Sequence, residues 1–228
     1  MLGYGRGVCK VLKRGIEVSN IKLVCFDLDD TLIRGIHSVM YLALINNRLN
    51  ELIEIEEAEA RGDFSWIEAD YFKAQLAEGL HLEVARREFI NTVNPISNIV
   101  HVVKRLHENQ IKCILITAGP QQVADIAGNC FGIDKCYGSE YEVCDGIFTG
   151  KIIKHIGDIG KIEFLNGYCS YEGITPEQCA AVGDGASDIP LFEYCKMSIA
   201  INYSPAVEGK ATHYVKTDDL SSILAYIL

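Results

Sequence analysis

Short apolar runs alternating with helix-like segments constrain this chain more than any other feature. Residues 21–26 (IKLVCF), 111–117 (IKCILIT), 179–185 (CAAVGDG), 197–202 (MSIAIN) and 213–216 (HYVK) read as short strands. Helical patterns lie among them, at 96–110, 121–131, 159–173 and 188–195. Strands that alternate with helices imply an α/β fold: a Rossmann-like parallel sheet with helices on both faces. With 228 residues, 49% of them hydrophobic, the chain can bury a sizeable core.

One interval breaks the alternation. Residues 35–94 are mostly helical in pattern, whereas a crossover between parallel strands needs only about a dozen residues. The excess reads as an inserted α-helical cap subdomain. The expected organisation is an N-terminal extension over 1–20, a catalytic core over 21–34 and 95–228, and the helical cap over 35–94. Residues 141–151 (YEVCDGIFTGK) read as a β-hairpin turning at Asp145-Gly146.

Charge and cysteine usage narrow the function classes. The formal net charge is −10, from 21 basic and 31 acidic residues, which argues against nucleic acid or an anionic membrane as partner. A small anionic substrate is still compatible, because a local site can be positive on an acidic protein. The nine cysteines are scattered, with no CxxC pair and no zinc-type cluster. Cys25 and Cys113 sit inside apolar runs, where a reduced thiol behaves as a small hydrophobe. Reduced cysteines in a cytoplasmic protein are therefore expected. The N-terminal stretch is interrupted by Lys10, Lys13 and Arg14 and lacks the apolar segment of a signal peptide. No stretch approaches the roughly 20 apolar residues of a membrane span.

In parallel sheets, ligands bind beyond the carboxyl ends of the strands. Asp27, Thr117 and Asp184 each stand at such an end, so three residues distant in sequence should meet on one rim. Asp27 belongs to "DLDDT", a crowding of acids that a strand end would otherwise avoid. Paired carboxylates permit one ionised nucleophile or metal ligand and one proton donor. "GDGASD" (183–188) adds Asp184 and Asp188, hard oxygen ligands suited to Mg²⁺; its plainer reading is a turn with a helix-capping aspartate. Thr117, Ala118 and Gly119 offer a hydroxyl and free backbone N–H groups for a phosphate oxygen, or simply a helix start. Lys161, taken alone, reads as a solvated lysine.

In this order, D-x-D-x-T, a strand-end threonine, an isolated lysine and G-D-G-x-x-D resemble the haloacid dehalogenase superfamily of phosphatases. The resemblance spans about residues 21–218. The helical insertion, the "EVCDGIFTG" hairpin and "GDGASDIPLF" make it similar to the phosphoserine phosphatase branch. The resemblance implies that Asp27 attacks phosphorus and that Asp29 protonates the leaving oxygen, then deprotonates water. It implies that Thr117, Ala118, Gly119 and Lys161 hold the phosphate. It also implies Mg²⁺ on Asp27, the Asp29 carbonyl and Asp184, with Asp188 supporting the metal. Asp30 is expected to be a bystander.

The resemblance weakens where the leaving group would bind. The branch carries a glutamate soon after the first motif and an arginine in the cap. Their places fall here near Ile36 and Tyr71, with no acid from Leu32 to Asn50 and no arginine from Phe64 to Ala85. Ser187 stands where the branch has asparagine. Phe64 and Ser187 are candidates for the substrate pocket, while Trp66 and His37 read either as pocket or as cap structure. The expected function is a Mg²⁺-dependent phosphomonoester hydrolase acting on a small phosphorylated metabolite through an aspartyl-phosphate. Alternatives are true phosphoserine phosphatase and phosphoryl transfer to an acceptor other than water. A non-catalytic receiver module is disfavoured by the intact D-x-D and the long insertion.

Overall fold

The computed structural model describes residues 20–228, so all but the last residue of the expected N-terminal extension lies outside the described residues. Among the described residues, seven strands form one sheet in the order β4-β3-β2-β1-β5-β6-β7. The strands are β1 (Leu23–Phe26), β2 (Lys112–Pro120), β3 (Lys135–Cys144), β4 (Ile147–Lys154), β5 (Cys179–Gly183), β6 (Met197–Ile201) and β7 (His213–Val215). Neighbours run parallel except β3 and β4, which form the antiparallel hairpin around Asp145-Gly146.

The central position of β1 follows from its side chains. Leu, Val, Cys and Phe in succession give both faces of the strand something apolar to bury, and all four are inaccessible to solvent. Alternate residues point to opposite faces. Val24 and Phe26 join Val102, Leu106, Val123 and Ala127, from α5 (Ile99–Glu108) and α6 (Gln121–Phe131). Leu23 and Cys25 join Leu165, Cys169, Leu191 and Phe192, from α7 (Asp158–Glu172) and α8 (Ile189–Tyr194). Each fully buried large side chain of this kind contributes about 1.5–3 kcal/mol. A four-residue strand is thereby fixed between two helical layers.

Two elements extend beyond expectation. β2 continues through Pro120 rather than ending at Thr117. β3 begins at Lys135, pairs first with β2 and then turns outward into the hairpin. Its sequence, KCYGSEYEVC, mixes buried with exposed positions and lacks the continuous apolar character of a central strand.

Between β1 and α5 lie α1 (Ser38–Ile45), α2 (Leu49–Arg61), α3 (Trp66–Ala74) and α4 (Leu82–Thr92). The chain leaves and returns at one point, where the Arg34 N–H donates to the Asn94 carbonyl and Ile96 N–H to Leu32, each at 2.9 Å. Gly62 ends α2 in a left-handed conformation that glycine adopts without strain. Ser65 then starts α3, its hydroxyl and the Glu68 carboxylate capping each other's backbone N–H groups.

Candidate active site

Strand register sets the site. Phe26 pairs with Leu115 and with Val182, so Asp27 stands level with Ile116 and Gly183, one residue short of Thr117 and Asp184. The three strand ends thus deliver their polar residues to one rim. The Asp27 N–H continues the sheet by donating to the Val182 carbonyl at 2.9 Å, which leaves its carboxylate to the site.

Lys161, near the start of α7, is buried rather than solvated: only 1% of its surface is accessible. Its Nζ donates to Asp27 Oδ1 at 3.0 Å, Asp188 Oδ1 at 2.8 Å and Ser187 Oγ at 3.0 Å. Three acceptors satisfy all three ammonium protons. Asp188 turns its second oxygen back to the glycine loop, accepting from the Asp184 and Gly185 N–H groups at 3.0 and 3.2 Å. A Cβ on Gly183 would lie 2.3 Å from that oxygen, so only glycine fits there. Thr31 closes the ring by donating to Asp184 Oδ1 at 3.2 Å.

Asp29 faces elsewhere. Its carboxylate accepts from Ser38 N–H and from Ser38 Oγ, both at 2.6 Å, at the N-terminus of α1. Gly119 packs against this pair. At the end of β2 Thr117 is buried, and its hydroxyl accepts from the Gly119 N–H at 3.0 Å. The Ala118 carbonyl accepts from Ser139 Oγ at 2.7 Å, which ties the end of β2 to β3.

Burial dominates the electrostatics. It pushes the Asp27 carboxyl well above the ordinary carboxylate range; Lys161 opposes it, while Asp188, Asp184 and Asp29 add to it. Burial also raises Asp29, against the hydrogen bonds from Ser38. Asp184 is pushed up to about 7, first by burial and then by the charges of Asp188 and Asp30. For Lys161, burial alone would lower the ammonium, but the carboxylates of Asp188 and Asp27 outweigh it and raise it. A site this rich in buried acids lacks positive charge. Asp27, Asp184 and Asp188 bring carboxylate oxygens within 4.8 Å of one another, a set of hard donors that could hold a metal ion.

Asp27, Lys161, Ser187, Asp188 and Asp184 are thus joined in one network, Asp29 meets Gly119 at Ser38, and Phe64 stands apart from both. Phe64 stands outside α3, before its Ser65 cap, and its ring packs on Phe72 with centroids 5.1 Å apart, lining a separate cavity with Gln75 and Leu76. Trp66, the first residue of the helix, instead lines a cavity with Glu59, Asp70, Ala118, Ala186 and Ser187. His37 caps α1 and pairs with Glu56. Asp30 is exposed and lies in a left-handed conformation. Sequence reading missed Ser38, Thr31 and Ser139. Of these Thr31 had a signal, as the threonine of "DLDDT".

A parallel sheet that carries an aspartate at its central strand end, opposite a buried lysine and a carboxylate cluster, places the chain among α/β proteins whose site is built around a strand-end aspartate. The chain belongs to the haloacid dehalogenase-like hydrolase family, whose model matches residues 24–193. It is 29% identical over 206 residues to the phosphoserine phosphatase of Idiomarina loihiensis, covering 89% of this chain and 91% of that one. The phosphoserine phosphatase of Polaromonas sp. is 27% identical over 226 residues, 96% and 95% of the two chains. A solved phospho-aspartyl intermediate analogue of phosphoserine phosphatase superposes with a TM-score of 0.77 at 25% identity, covering 91% of this chain and 99% of that one. The activity of this chain is that of a phosphatase. No helix among the described residues is long and apolar enough to cross a membrane.

Proposed function

We propose that this phosphatase hydrolyses the phosphomonoester of a small metabolite, with Asp27 as nucleophile and Asp29 as general acid and base. The observation that carries this reading is the buried bridge from Lys161 to Asp27 and Asp188, beside a second aspartate two residues along. In the first step an Asp27 oxygen attacks phosphorus. The ester P–O bond breaks, and the departing oxygen takes its proton from Asp29. In the second step Asp29 removes a proton from water as it attacks phosphorus, and the bond to Asp27 breaks to release phosphate.

Burial raises the Asp29 carboxyl above its ordinary range, a shift in the direction that the role of acid requires. Thr117, the Ala118 and Gly119 backbone and Lys161 would hold the phosphate oxygens. Asp27, Asp184 and Asp188, with the Asp29 carbonyl, would hold Mg²⁺, which when bound neutralises the anionic ester facing a carboxylate nucleophile. Residues 35–94 would act as a cap over a core of 21–34 and 95–228. Free thiols at every described cysteine fit a cytoplasmic enzyme.

Phosphate release from an aryl phosphate with Mg²⁺ tests the reading. Activity should vanish in Asp27→Asn; undiminished turnover there would overturn the nucleophile. Release without any added acceptor separates hydrolysis from phosphoryl transfer. A second reading, phosphoserine as the substrate, has the relatives' names in its favour. Against it stands the lack of any acid from Leu32 to Asn50.

A further inference from the structure

The cavity above Lys161 has a chemical character of its own. It measures about 410 Å³ and is lined by Glu59, Trp66, Asp70, Ala118, Ala186 and Ser187. Ala118 belongs to the last residues of β2, after Thr117, and Ser187 Oγ accepts from the same Lys161 Nζ that holds Asp27. The cavity therefore adjoins the Asp27–Lys161 site through Ala118 and Ser187. A leaving group attached to a phosphate held there would extend toward Glu59, Trp66 and Asp70.

Those three residues line the cavity, whereas the basic partners of the two carboxylates do not. Lys73 Nζ lies 2.7 Å from Glu59 Oε2 and 3.9 Å from Asp70 Oδ1. His155 Nε2 lies 2.9 Å from Asp70 Oδ2. Neither Lys73 nor His155 lines the cavity. Their side chains are only 12% and 9% accessible, against 28% for Glu59 and 19% for Asp70. Two carboxylates thus share one permanent cation. Above them the Trp66 indole is 40% exposed and is braced by the His155 ring, with centroids 5.3 Å apart.

An exposed indole face beside partly neutralised carboxylates attracts a cation and repels an anion. Building on the phosphatase reading above, the geometry points to a phosphomonoester whose leaving group carries an amine or quaternary ammonium and no carboxylate, held by Glu59, Asp70 and the face of Trp66. A zwitterionic leaving group would bring a carboxylate to a cavity whose lining offers it no cation. The position of Lys73 supplies a further consequence: removing the Glu59 charge uncovers an ammonium and shifts preference toward anionic leaving groups.

The test compares 2-aminoethyl phosphate with propyl phosphate, its uncharged match in size, and with phosphoglycolate and O-phosphoserine. The expected kcat/KM order places the aminoethyl ester at least about tenfold above the propyl ester, the scale of a desolvated cation–π and charge contact. The two acidic esters should come last. Equal rates for the aminoethyl and propyl esters, or a preference for either acidic ester, would overturn the inference while leaving the phosphatase reading intact. Failure on every ester, the aryl phosphate included, would overturn the phosphatase reading.

Binding then decides the inference by itself. Trp66 is the sole tryptophan, so its fluorescence reports the cavity directly in Asp27→Asn protein with Mg²⁺. Saturation by 2-aminoethyl phosphate at lower concentration than by propyl phosphate supports the assignment, and equal affinity rejects it. In Glu59→Gln and Asp70→Asn the aminoethyl-to-propyl ratio should collapse toward unity, and Glu59→Asp should restore part of it. A role confined to folding would lower both rates and keep the ratio.

Discussion

The Asp29 carboxylate is held at both oxygens by one residue, Ser38, whose N–H and hydroxyl each lie 2.6 Å away. Asp29 follows the central strand, whereas Ser38 opens the first helix of the inserted segment. The proposed proton donor is therefore oriented by the part of the chain that would form the cap. Both hydrogen bonds favour the ionised carboxylate and oppose the effect of burial. Ser38→Ala removes one of them, so the Asp29 pKa should rise. A hydrogen bond to a charged group contributes about 1.5–3 kcal/mol, so its loss should register in the pH profile. The alkaline limb of the kcat profile should move upward, while kcat itself falls because Asp29 is less firmly aimed. An unmoved limb would remove Asp29 from the role of acid.

Gly119 makes this arrangement possible. A Cβ there would fall 2.1 Å from Ser38 Oγ and 3.2 Å from Asp29 Oδ2. Gly119→Ala must displace Ser38, and Asp29 with it. Displacements near 1 Å cost about a hundredfold in rate, so a loss of that order in kcat is expected. Removing the hydroxyl relieves the worst contact. The Ser38→Ala, Gly119→Ala double variant should therefore lose less activity than the product of the two single losses. A full product in steady-state kinetics would contradict the contact.

Legibility in the sequence differed sharply among these residues. Asp27 and Asp29 stand out because their constraint is local: an apolar strand must end before such a run of acids. Lys161 reads alone as a surface lysine, because its burial depends on Asp27, 134 positions earlier in the chain. Ser38 was hidden for the same reason, since only the return of α1 onto the sheet brings it to Asp29. The exchange of Phe64 for Trp66 was more accessible. Ser65 and Glu68 form an S-x-x-E capping pattern that starts α3 after Phe64, and reading it would have separated the two aromatics. The early part of β3 escaped notice because its exposed polar positions mask the strand.

Lys161 carries structural and chemical weight together. Lys161→Met keeps much of the buried volume but leaves Asp27 and Asp188 facing each other without a cation. Breaking a buried ion pair from one side costs about 3–5 kcal/mol, whereas an exposed lysine would change stability by no more than about 0.5 kcal/mol. Urea unfolding should report the larger figure at neutral pH, and a smaller one in acid, where the carboxylates are protonated. Phosphate release should fall by about 10²–10³ or more, the loss typical of one preorganised charge-stabilising donor.

Asp184 couples metal binding to pH. In the metal-free fold its carboxyl is raised from the ordinary 3.8 to about 7, first through burial and then through Asp188 and Asp30. Between those values the folded protein keeps a proton that the unfolded chain has released. Linkage then requires the Asp184 contribution to the stability of metal-free protein to be fully present below the unfolded pKa and to be lost as pH rises through the folded one. A divalent cation needs the ionised carboxylate, so its binding displaces that proton. Its apparent affinity should weaken about tenfold for each pH unit below 7 for one displaced proton, and level off above. Thermal melts with and without Mg²⁺ at about pH 5, 6, 7 and 8 check both signs. The Mg²⁺-induced rise in Tm should grow with pH and be small at the acid end. An equal rise at the two extremes would mean that Asp184 is not among the groups that hold the metal.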